Sequence, residues 1–210
     1  MGARRVLAAT GFVMLAYVVA HMGGNLLAFA GPATFDAYAQ WLRDLGSGVP
    51  LLLVRIVLAV ALAAHVSAHA WLLFRPEAVR DESADAPAVP AYVVKSGVIP
   101  LATGGLIAIF VAMHLAQLTF GATLSSFDAS TPYRNLVAAQ SAWPVALGYV
   151  VAAAAVGAHL LPGIWSGART LGWNTWRSEG LTRALSPALA LAVAIGLSLV
   201  PLAVTLRLIS

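Results

Sequence analysis

The sequence predicts an all-α protein, an integral membrane bundle of five transmembrane helices with the N-terminus cytoplasmic and the C-terminus outside. Three observations predict it. Of the 210 residues, 60% are hydrophobic and only 10% charged, about half the charged fraction usual in a water-soluble domain. The mean hydropathy of +0.87 suits a chain whose main solvent is lipid. Finally, long apolar runs recur five times, over roughly Val6 to Phe29, Leu51 to Phe74, Val98 to Phe120, Trp143 to Trp165 and Leu185 to Leu206. Each supplies the ~20 residues that cross a ~30 Å hydrocarbon core at ~1.5 Å per residue, and residues 1–210 read as one membrane domain. Soluble-enzyme and disordered classes are thereby excluded.

The first run is too long for the apolar core of a signal peptide, has no small-residue cleavage pattern, and contains or adjoins His21 and Asn25. Pro50, Pro100, Pro144 and Pro187 stand near the starts of the other four, where a missing N–H costs nothing. Orientation follows from the basic residues, since the flank that keeps positive charge is usually cytoplasmic. Arg4, Arg5, Arg75, Arg80, Lys95, Arg169, Arg177 and Arg183 fall on one side, against Arg43, Arg134 and Arg207 on the other. Because these cations sit at the ends of apolar runs, the net charge of +4 gives no reason to expect a nucleic-acid partner. The stretch from Arg75 to Lys95 is charge-dense and contains proline, which reads as a solvated linker. No internal repeat stands out, and five spans do not divide into the paired halves of an inverted-repeat transporter.

The chain has no cysteine, so any metal falls to nitrogen, oxygen or methionine sulfur. Histidine is the candidate. His21, His65, His114 and His159 lie one in each of the first four spans, with His69 a fifth beside His65 and none in a loop. A histidine inside a membrane is costly and marks a functional site by default, although one alone can simply bond a neighbouring helix. Depth sorts the four. Counted from the cytoplasmic ends, His21 and His114 lie about 22–24 Å deep, while His65 and His159, on spans that run the other way, lie near the inner surface. Two facing histidines at each of two depths meet the needs of two bis-histidine haems, because iron takes axial imidazoles on opposite faces of the porphyrin. Such irons would stand about 15 Å apart along the normal. Without a CxxCH the haem is non-covalent, of b type.

His69 competes with His65, being on the same helix face. His65 is preferred because it precedes Arg75 by the spacing at which His159 precedes Arg169. His69 is then left to a haem edge, a propionate, a quinone or a neighbouring helix. Gly23 and Gly24 after His21, Gly104 and Gly105 before His114, and Gly157 and Ala158 before His159 give room for a macrocycle, and would equally serve close helix packing. Pro162 removes the backbone bond to Ala158 beside His159. Arg55, the only charge well inside a span, either snorkels to the outer surface or pairs with haem propionates at the level of His21 and His114. Arg169 has a weaker version of that role at the inner level, and Asn25 is placed to bond a haem or a helix backbone.

Several motifs share a common source. His21 opens HMGGNL, the second span reads HVSAHAWLLFR, the fourth continues HLLPGIWSGARTLGWNT, FDAYAQWL follows the first span, and Tyr133, Arg134 and Asn135 stand together before the fourth. Taken in order along nearly the whole chain, these resemble the five-helix cytochrome b subunit of bacterial succinate dehydrogenase and fumarate reductase. The resemblance implies a membrane anchor with two haem b groups in a bacterial cytoplasmic membrane. It implies a flavoprotein and an iron–sulfur protein on the cytoplasmic face, where the loop from Arg75 to Lys95 becomes a docking element. It also implies electron transfer to a quinone, usually menaquinone, with the succinate chemistry on a partner subunit. The family pattern pairs His21 with His114 on the distal haem and His65 with His159 on the proximal one. Two positions depart from it. Pro162 stands where family members often have a second histidine, and Gly157 stands where some fumarate reductases carry a glutamate. Competing expectations are a cofactor-free transporter or scaffold with histidines as helix glue, and the haem b subunit of another quinone-linked oxidoreductase.

Overall fold

The computed structural model describes residues 2–74, 98–173 and 178–210. Among the described residues there is no strand, and the helices are α1 (Ala3–Leu26), α2 (Pro32–Asp44), α3 (Val49–Leu73), α4 (Val98–Leu118), α5 (Pro132–Gln140), α6 (Trp143–Thr170) and α7 (Glu179–Thr205). Five of them, α1, α3, α4, α6 and α7, are long and apolar enough to cross a membrane, which makes the chain a multi-pass membrane protein. The docking segment expected from Arg75 to Lys95 lies outside the described residues, as does Arg177.

The spans pack α1 on α3, α4 on α6, α1 on α6, and α7 against both α6 and α1. The α6–α7 contact is the tightest. A Cβ on Gly157 would stand 2.8 Å from the Cβ of Ala194 and 3.1 Å from the carbonyl oxygen of Ala190, so the two helices approach as closely as a missing side chain permits. Val193 and Ser186 of α7 are fully buried. By contrast α3 turns Leu52, Leu53, Val54, Ile56, Val57 and Val60 outward, an apolar surface of the kind a lipid-facing helix carries.

Hydropathy locates apolar length, and the helices exceed it. α6 runs on from Trp165 to Thr170, and α7 begins at Glu179, well before Leu185, with a polar turn in which Arg183 meets Glu179 at 2.7 Å. Pro187 is therefore not near a helix start. It lies inside α7, as does Pro201, and the Ser186 hydroxyl bonds the Thr182 carbonyl at 2.8 Å. Pro162 likewise sits inside an uninterrupted α6.

Two short helices, α2 and α5, build a cap at the end of the bundle where α1 finishes. The chain turns sharply into α3 through left-handed Gly46, Ser47 and Gly48 (φ 53°, 56° and 81°). The cap has its own core of Ala28, Tyr133, Leu136, Val200 and Val204, with Phe35 and Leu118 packed against it. Asp36 of α2 accepts the backbone N–H of Tyr133 at 2.7 Å, in the first turn of α5, and so serves from a neighbouring helix as an N-cap acceptor. In the preceding loop the exposed Asp128 accepts both the N–H (2.8 Å) and the hydroxyl (2.7 Å) of Ser130. These bonds hold its pKa below the ordinary carboxylate value, so the loop keeps this support at neutral pH and loses it as acid protonates Asp128. Replacing Asp36 by alanine is expected to cost about 1 kcal/mol, the usual worth of a lost cap, read as a lower midpoint of thermal unfolding in detergent. An unchanged midpoint would show that the bond carries no weight.

Candidate functional site

The four histidines predicted to form two levels come together in pairs. The imidazoles of His21 (α1) and His114 (α4) have ring centroids 5.8 Å apart at 87° between planes. Those of His65 (α3) and His159 (α6) are 6.2 Å apart at 58°. Each pair joins helices that stand apart in the packing order α3–α1–α6–α4, His21 with His114 across α6 and His65 with His159 across α1. The levels are distinct. The rings of His65 and His159 lie beside Thr10 and Thr103, which precede His21 and His114 on the same helices by about three turns, roughly 16 Å.

Hydrogen bonding fixes how three of the rings are presented. Thr10 donates its hydroxyl proton to the carbonyl of Val6 at 2.7 Å, so its oxygen is left to accept from Nδ1–H of His65, 3.2 Å away. The same Nδ1 faces the Leu7 carbonyl at 3.1 Å, which can only accept. Thr103 repeats this, donating to Ile99 at 2.8 Å and standing 3.1 Å from Nδ1 of His159. At the other level Tyr149 donates to Oε1 of Gln117 at 2.9 Å, which leaves its oxygen to accept from Nδ1 of His114 at 3.3 Å. Gln117 in turn donates to the Ala139 carbonyl at 3.4 Å. With the proton on Nδ1, Nε2 of His65, His159 and His114 carries the lone pair, the form in which imidazole binds a metal. His21 is positioned differently, by the ring of Tyr17 stacked on it at 5.4 Å. Phe110 stacks on His114 in the same manner at 5.6 Å.

The paired nitrogens suit one type of ligand well. An imidazole nitrogen bonds a metal at about 2 Å, so two imidazoles on opposite sides of one metal hold their centroids roughly 6 Å apart. Both pairs meet that spacing, and all four rings are only half-buried, leaving ring surface for a further group. Two axial nitrogens are what an iron already held by four macrocycle nitrogens lacks.

The remaining expected site residues are placed as follows. Asn25 donates to the His21 carbonyl at 2.8 Å, so it bonds its own helix. Arg55 is exposed on the second turn of α3 and interacts electrostatically with Tyr17, the residue stacked on His21. The Arg169 guanidinium lies over the ring of Trp165, 4.8 Å from its centroid. His69 makes no ring pair with His159 among the described residues, and its buried Nε2 has no hydrogen-bond partner among them. The small residues divide by use: Gly104 lies against the ring of His159 and Gly24 against Tyr38, whereas Gly157 serves the α6–α7 contact. Thr10, Thr103, Tyr149 and Gln117 were not singled out by the sequence, because a hydroxyl or amide in a membrane helix has no spacing signature until its partner is known. Comparison with protein-family models, with curated proteins and with solved structures finds no match.

Proposed function

We propose that this chain is the dihaem cytochrome b anchor of a succinate:quinone oxidoreductase, carrying electrons between an iron–sulfur partner and a membrane quinone, menaquinone by resemblance. The observation that carries the reading is the pairing of His21 with His114 and of His65 with His159 at two levels of one apolar bundle. Haem b, when bound, supplies reversible one-electron transfer. Nε2 of the four histidines would hold its iron. Thr10, Thr103 and Tyr149 hold Nδ1 of His65, His159 and His114 and so keep Nε2 of these three unprotonated. Arg55 near the outer pair and Arg169 beyond the inner pair offer guanidinium groups to propionate carboxylates. The apolar face of α3 keeps the site in lipid. In this reading the N-terminus is cytoplasmic, the membrane is a bacterial cytoplasmic membrane, and the flavoprotein and iron–sulfur subunits bind where Arg169 and Arg183 lie.

The test is purification from membranes of haem-replete cells, with haem counted as the pyridine haemochrome. Two haem b per chain are expected, with a succinate-reducible flavoprotein and iron–sulfur protein in the same complex. A chain free of haem would end the proposal in favour of a transporter or scaffold. Haem with a different soluble partner would make it the subunit of another quinone-linked enzyme.

A further inference from the structure

The inner pair is built twice over, and the repetition is visible in both sequence and geometry. Ala9-Thr10-Gly11 precedes His21 by the same spacing at which Ala102-Thr103-Gly104 precedes His114, and each stretch has an aromatic residue followed by valine at the same distance before its histidine, Tyr17-Val18 and Phe110-Val111. In the second helix of each pair, His65 and His159 are followed at one common spacing by Trp71 and Trp165. The repeat that hydropathy alone does not reveal is thus a tandem one, α1 with α3 and α4 with α6, running in the same direction. It escapes a search for inverted halves because its two units run the same way and agree at only a few positions.

The contacts repeat with the residues. Thr10 and Thr103 each hand their own proton back to the carbonyl one turn earlier, and each stands 3.1–3.2 Å from Nδ1 of the inner-pair histidine in the same repeat. A Cβ on Gly11 would stand 3.4 Å from Cε1 of His65, and one on Gly104 would stand 3.4 Å from Cε1 of His159. The Leu7 carbonyl accepts from His65, and the Pro100 carbonyl, its equivalent in the second repeat, faces His159. One such arrangement could be an incidental satisfied polar group. Two, at equivalent positions on opposite sides of the same pair, form a matched device.

We infer that Thr10 and Thr103 are the positioning residues of the inner pair: accepting from Nδ1 beside the Leu7 and Pro100 carbonyls, each helps to fix the tautomer and ring orientation of its histidine and raises the electron-donating power of its Nε2. The inference rests on the haem reading and assigns to these threonines the tuning of one haem out of two. The outer pair has no such symmetry. Tyr149 and Gln117 hold His114, while Arg55 occupies the place in α3 that Tyr149 has in α6, equally far before the inner histidine. A change at the threonines should therefore be felt at the inner level only.

The experiment compares the purified complex with its Thr10→Val/Thr103→Val variant, valine keeping the shape and removing the acceptor. Redox titration of the haem absorbance and the low-spin resonance of each oxidised haem are the readouts. The inner haem is expected to titrate at a higher potential with an altered resonance, because a poorer donor stabilises ferric iron less, and to be lost about 10–100-fold more readily on dilution, the usual cost of removing such a partner. Thr10→Ser/Thr103→Ser should restore both properties. The outer haem, counted in the same sample, reports that the bundle is assembled. An unchanged inner potential and resonance would overturn the inference while leaving the haem reading intact, and so would equal shifts or joint loss of both haems. A wild-type complex without haem would overturn both.

Discussion

Replacing either His21 or His114 by alanine is expected to lower the haem content from two per chain to one, and replacing either His65 or His159 to remove the other. In the proposed reading each pair would share one iron, so either partner alone would leave a coordination position empty, and the members of a pair should give the same phenotype. His69→Ala should leave both haems, since the ring of His65, not that of His69, faces His159 at 6.2 Å. Pyridine haemochrome counts combined with a redox titration distinguish which haem has gone. If His69→Ala loses a haem while His65→Ala keeps two, the pairing at the inner level is wrong.

The second large effect is structural. Gly157→Leu is expected to drive α6 and α7 apart, because the added Cβ alone meets Ala194 at 2.8 Å and the backbone oxygen of Ala190 at 3.1 Å. Overpacking a filled contact costs about 1–3 kcal/mol, and more where the obstacle is main chain that cannot rotate away. Gly163→Leu is the control, since nothing stands within 4 Å of a Cβ there. Thermal unfolding in detergent should show a lowered midpoint for the first and not for the second. Equal midpoints would mean that α7 can retreat at little cost. The same geometry bears on the departure from the resembled family at this position. A glutamate at 157 would have to enter the α6–α7 contact, so a proton path through a carboxylate has no room here.

The parts of this molecule legible in the sequence are those governed by lipid. Apolar length located the five spans, and residue counting along them put His21 level with His114 and His65 level with His159, because the helical rise converts sequence to depth with little error. What escaped was governed by water or by lateral contact. α2 and α5 are too short and too mixed in polarity for a search over apolar runs, and α5 owes its capping to Asp36, far away in the chain. The start of α7 lies in a polar turn that hydropathy assigns to a loop. Gly157 read equally as space for a cofactor or as close helix packing, because sequence shows that a residue is small but not which neighbour profits, and the structure gives it to packing. Thr10 and Thr103 became visible only when their protons could be followed to Val6 and Ile99.

The tandem arrangement has a consequence for biogenesis. Each pair takes one histidine from each repeat, so neither α1 with α3 nor α4 with α6 contains a complete pair, and a chain arrested after α3 offers His21, His65 and His69 with no partner from α4 or α6. Synthesis delivers α4 before α6. His114 therefore enters before His159, and both outer-pair histidines are present while the inner pair still waits for His159; Tyr149, which holds the His114 ring, arrives with α6 as well. In the proposed dihaem reading, cofactor capture at the inner level would then report that the last of the paired helices has arrived, and occupancy would mark finished membrane insertion.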